Sequence, residues 1–130
     1  MKKYTLIISL SLFFVACGDS KTDSAEKTEP EKKTTSVMDN PDYQKGLALI
    51  AKSDCFTCHK LREASTGPAY GAVAEKYENT EANQNMLADK VIKGGQGVWG
   101  EVPMSAHPDL PKADAVQMVK YILLLREEKK

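Results

Sequence analysis

Five consecutive residues constrain this chain more than any others: Cys55-Phe56-Thr57-Cys58-His59. Two cysteines three positions apart, with a histidine directly after the second, read as an attachment site for a c-type haem. The spacing has a chemical reason. Two thiols can each form a thioether with a haem vinyl group while the adjacent imidazole points at the iron. Three other readings compete for the same residues. A thioredoxin-like redox pair wants a βαβ setting and a helix starting at the first cysteine, and neither is in the pattern. Zinc wants four ligands, and Cys55, Cys58, His59 and the distant His107 match no common finger spacing. A Cys55–Cys58 disulfide would leave His59 without a purpose. The chain holds three cysteines in 130 residues, so they cannot all pair internally.

The third cysteine, Cys17, belongs to a different segment. Lys2 and Lys3 precede an uncharged run over residues 4–18. As a helix that run would rise about 22 Å, short of the roughly 30 Å hydrocarbon core. A positive start, a short apolar stretch and a small-residue ending form an export signal, here assigned to residues 1–16. Its last residues, Phe14-Val15-Ala16-Cys17, resemble a bacterial lipoprotein signal, in which the cysteine is lipidated and begins the mature chain. Phe14 is larger than the leucine usual at that place, and a simple cleaved signal is the alternative. Residues 17–37 form a tether: from 18 to 36, nine residues are charged and seven are Ser or Thr. Such a segment cannot bury enough apolar surface to offset its ordering entropy. The acidic residue that retains some lipoproteins in the inner membrane is one place late, at Asp19.

The remaining 38–130 segment is the folded head. It carries 12 basic and 13 acidic residues, which gives no reason to expect nucleic acid, whose phosphates demand a basic surface. Helix signals dominate it. Asn40-Pro41 supplies a cap and a first-turn proline, and Tyr43, Leu47 and Ile50 recur on one face, predicting a helix to about residue 53. Gly67-Pro68 breaks the chain before a short helix over 69–77. A third helix begins at Asn79-Thr80-Glu81 and stops at Gly94-Gly95. Residues 95–103 read as a glycine-rich loop. The last helix starts near Pro111, with Ala115, Met118, Val119, Ile122 and Leu125 inward and Arg126 near its end, where a cation suits the helix dipole. The expected fold is all-α, with few large apolar residues and so a need for something else in the middle.

With these elements in place, the head resembles a class I monohaem cytochrome c of the small bacterial type. The resemblance covers residues 40–127. It rests on the helix carrying Gly46, on Cys55-Phe-Thr-Cys58-His59, on Gly67-Pro68-Ala-Tyr70, on Gln96-Gly-Val-Trp99-Gly100, on Val102-Pro103-Met104 and on a last helix with Tyr121. It implies helices and glycine-rich loops wrapped around one covalent haem c, attached through Cys55 and Cys58. His59 matches the proximal iron ligand and Met104 the distal one. A thioether as sixth ligand favours reduced iron and raises the potential. Met86 and Met118, on helices with apolar neighbours, read as packing. His107 is the rival to Met104, because imidazole binds iron more strongly. Its expected place is solvent or beside the Met sulfur. Pro68 matches the proline whose carbonyl receives the proximal imidazole's hydrogen bond. Trp99 matches an aromatic donating its indole N–H to a haem propionate, or is simply the largest core side chain. Gly46 would allow close crossing of the first and last helices, where Gly46 and Ile50 meet Tyr121 and Leu125.

The resemblance implies an electron carrier rather than an enzyme, since two axial ligands leave the iron no open position. Redox proteins such as a membrane oxidoreductase or a terminal oxidase or reductase would be its partners, in a respiratory-type chain at the cell envelope. The head would be monomeric, periplasmic and membrane-anchored through the lipid on Cys17. A haem sensor or peroxidase-like domain with a labile Met ligand is the competing class.

Overall fold

A computed structural model describes residues 36–126, which fall within one compact unit. The signal, Cys17 and nearly all of the tether lie outside the described residues. Ser36 accepts a bond from the Met38 N–H and opens a 3-10 turn at Val37–Asp39, with Val37 packed against the core.

Four helices follow: α1 (Pro41–Ala51), α2 (Tyr70–Lys76), α3 (Glu81–Lys93) and α4 (Lys112–Leu124). α1 starts where the sequence places it, with the Asn40 side chain accepting from the Asp42 N–H at 2.8 Å and Pro41 in the first turn. It ends two residues earlier than expected, at Ala51. α3 is capped by Thr80 and stops at Gly94, whose φ of 73° is costly for any residue with a Cβ.

α4 is the centre of the molecule. The five positions expected to face inward are all buried, and so are Tyr121, Leu123 and Leu124. A helix apolar on most sides must be covered on most sides. α1 covers one side, where Tyr43 meets Tyr121 edge-on at 4.8 Å, a contact worth about 0.5–1.5 kcal/mol beyond area burial. α3 covers another, through Leu87 and Ala88 against Ala115, Val119 and Leu123. Gln117 donates to the Asp42 carbonyl at 3.0 Å, and Gly46 leaves no room for a side chain beneath Tyr121. The expected crossing of α1 and α4 is therefore present.

Two expectations need correction. Residues 95–103 are not an irregular loop: Gly95–Gly97 (β1) pairs antiparallel with Gly100–Met104 (β2), Gly95 opposite Met104. The hairpin turns on Gly97 and Gly100, with φ of 103° and 113°. Glycines give the chain these angles but leave no apolar alternation from which to read a strand. Arg126 does not serve the end of its own helix. Its Nε and Nη2 donate to the carbonyls of Ala74 and Glu75, at 2.7 and 2.8 Å, and so satisfy the last turn of α2. Among the described residues no helix is long and apolar enough to cross a membrane.

Candidate haem site

The attachment motif lies on a 3-10 turn, Asp54–Thr57, directly after α1. The turn folds Cys58 and His59 back so that both N–H groups reach the Cys55 carbonyl, at 3.3 and 3.0 Å. Cys55 and Cys58 carry separate thiols, with no disulfide between them. Burial, and after it the charge of Asp54, pushes the Cys55 thiol above its ordinary value.

His59 is held on several sides. Its Nδ1 lies 2.8 Å from the Pro68 carbonyl oxygen. A carbonyl can only accept, so Nδ1 carries a proton, and in the neutral ring the lone pair is then on Nε2. Gly67 packs on the ring so closely that a Cβ there would lie 2.5 Å from Cε1. Tyr70 stacks on it, centroids 5.1 Å apart and planes 14° from parallel. The Tyr70 hydroxyl hydrogen-bonds with the Cys55 sulfur, and burial drives its ionisation far up. The main chain keeps Tyr70 in register: its N–H and that of Gly71 donate to the Lys60 and Leu61 carbonyls, both at 2.9 Å, which also satisfies the first turn of α2.

These residues open onto a cavity of about 370 Å³. Cys55, Cys58, His59, Pro68, Trp99, Met104 and His107 all line it, on walls from the attachment turn, α2, α3, the hairpin and α4. Ile50, Leu87, Met118 and Ile122 make it largely apolar, and Lys90 is the cation on its wall. A flat apolar macrocycle with two carboxylates fits such a lining: thiols at one edge, a nitrogen lone pair and a thioether within, and an ammonium for negative charge.

Trp99 is not a core side chain. It sits in the hairpin turn, 45% exposed, with the Lys76 ammonium 5.5 Å from its ring centroid. His107 is neither solvent-facing nor placed by any contact on the Met104 sulfur. It is half-buried, with Nδ1 3.3 Å from the Val91 carbonyl and Nε2 3.5 Å from the Asp54 carboxylate. Met118 is buried in the core, as expected of packing. Sequence reasoning missed Lys90, Tyr70 and Asp54. The lysine looked like any solvated helix charge, and Asp54 meets its partner 53 residues away.

A mostly helical head with a cysteine-pair attachment turn and an apolar cavity defines a covalent haem protein. Known proteins agree. The cytochrome c family model matches residues 43–126. Cytochrome c-551 of Allochromatium vinosum is 42% identical over 89 residues, covering 68% of this chain and 95% of that protein. Cytochrome c-552 of Hydrogenobacter thermophilus is 40% identical over 78 residues, 60% of this chain and 79% of that protein. The crystal structure of Nitrosomonas europaea cytochrome c552 superposes with a TM-score of 0.58 at 34% identity, covering 62% of this chain and 99% of that one. The chain belongs to the cytochrome c family, as a class I monohaem member. It carries one haem c through Cys55 and Cys58, and it transfers electrons rather than transforming a substrate.

Proposed function

We propose that His59 and Met104 would hold the haem iron, and that the protein shuttles single electrons in a respiratory-type chain at the cell envelope. The observation that carries this reading is the bond from His59 Nδ1 to the Pro68 carbonyl, which leaves Nε2 as the nitrogen able to bind iron. The haem, when bound, supplies reversible one-electron cycling of its iron. The chain does the rest. Tyr70 and Gly67 fix the imidazole plane, so that little rearranges between oxidation states. The apolar walls keep water from the site. Trp99 and Lys90 offer an indole N–H and an ammonium to the haem carboxylates.

Redox proteins would be the partners, one giving the electron and another taking it. Residues 1–16 are an export signal and Cys17 takes a lipid, so the head works outside the cytoplasm, tethered to a membrane by residues 17–37. The visible spectrum of the matured, oxidised protein tests the ligand set. A sulfur-to-iron charge-transfer band that persists at neutral pH is the expected result. A five-coordinate spectrum, or fast binding of small ligands without displacement of a sulfur, would instead favour a sensor or peroxidase-like role.

A further inference from the structure

We infer that His107 is a positioning residue: it holds the Met104 segment in place by joining it to Asp54 and to the end of α3. The inference rests on Met104 being an axial ligand. β2 ends at Met104, and its pairing partner is the three-residue, exposed β1. No helix or strand follows until α4 at Lys112. The hairpin alone is therefore a weak clamp for a thioether that must stay on iron, since an isolated two-stranded hairpin is marginal in water.

His107 supplies what the hairpin lacks. Its backbone N–H donates to the Ile92 carbonyl at 3.0 Å and its Nδ1 lies 3.3 Å from the Val91 carbonyl. Both carbonyls belong to the last turn of α3, where helical partners run out. Its Nε2 faces Asp54, the residue before the first haem cysteine, at 3.5 Å. One side chain thus meets two walls of the cavity, the attachment turn and the end of α3, and carries the third on its own backbone. On the other side, Gly94 admits the segment: a Cβ there would come within 3.1 Å of the Ala106 nitrogen and closer still to the Met104 carbonyl oxygen. With its ring nitrogens turned to the Val91 carbonyl and the Asp54 carboxylate, where a neutral ring donates to one and an imidazolium to both, His107 serves Met104 rather than competing with it.

The test uses the haem-loaded protein and imidazole, which must displace the sulfur to bind ferric iron. In the wild type, the charge-transfer band first reports whether a sulfur ligand is present. Its absence would overturn the ligand assignment and this inference with it. Given the band, His107→Ala should bind imidazole about tenfold more tightly, the scale of one lost hydrogen bond, and lower the midpoint potential. Asp54→Ala should shift both in the same direction, and it serves if His107→Ala fails to fold. His107→Gln, which keeps side-chain donors, should restore much of the wild-type affinity. Lys112→Ala, which loosens α3 from α4 away from the cavity, should lower the melting temperature without changing either readout. Wild-type imidazole affinity and potential in both His107→Ala and Asp54→Ala, with the band intact, would overturn the inference. So would an equal change in Lys112→Ala.

Discussion

Gly46 and Tyr121 stand in such close contact that α1 and α4 cross with no side chain between them. A Cβ on Gly46 would fall well inside van der Waals contact of the Tyr121 Cβ and 2.5 Å from the Gln117 carbonyl oxygen. Neither obstacle is the end of a flexible chain, so the helices themselves must part. Alanine's better helix propensity is worth about 1 kcal/mol, whereas overpacking costs about 1–3 kcal/mol. Gly46→Ala should therefore lower the melting temperature of the haem-loaded protein by several degrees. An equal or higher melting temperature would show that the crossing is loose.

Arg126 should matter for a helix it does not belong to. Its two bonds to α2 carbonyls are charge-assisted and partly shielded. Arg126→Ala should cost about 1.5–3 kcal/mol in denaturant titration. Arg126→Lys, with a point charge in place of a fork, should fall between the two.

Tyr70 acts on His59 by its ring and on Cys55 by its hydroxyl, and two variants separate these. Tyr70→Phe keeps the stack and should leave the paramagnetically shifted haem resonances of the oxidised protein close to wild type. Tyr70→Leu removes the flat surface and should disperse those resonances differently, because the imidazole plane is freed. Identical spectra for both would mean that Gly67 and Pro68 orient the ring without Tyr70.

Met104→Ala should remove the charge-transfer band, lower the midpoint potential and open the iron to small ligands, while the haem stays attached through Cys55 and Cys58. An unchanged spectrum would assign the sixth ligand elsewhere.

Cys17→Ser should release the head in soluble, coloured form, since a hydroxyl cannot take the thioether lipid. Membrane fractionation of the two forms reads this directly. A head still sedimenting with membranes would mean that the signal is retained or that the head binds a membrane partner by itself.

The helices were legible because each carries its own punctuation within a few residues: Asn40-Pro41, Thr80 with Gly94, and the apolar rows of α1 and α4. The attachment turn was legible because its chemistry is contiguous. What escaped was non-local or patternless. Three of the eight residues in the hairpin's strands are glycines and nearly all eight are exposed, so its pairing leaves little trace in hydrophobic periodicity. The partners of Arg126 lie 52 and 51 residues away, and no spacing rule reaches them. His107 was singled out as a metal-binding residue type, but its roles as a cap for α3 and a partner for Asp54 depend on how three segments converge. Trp99 was offered a core position on size alone, whereas a two-residue turn between glycines carries it to the surface.

The burial of α4 on most sides has a consequence for the order of events in making the protein. Residues of both core clusters come from this helix, which follows α1, α2 and α3 along the chain. Before it emerges, α1 and α3 have little to pack against. Contacts between segments some 75 residues apart, such as Asp42 with Gln117, close late because the loop they bridge must first lose its freedom. The walls of the cavity therefore come together only once α4 has docked. Cys55 and Cys58, half-buried in the finished fold, would be easier to reach for haem attachment before that docking.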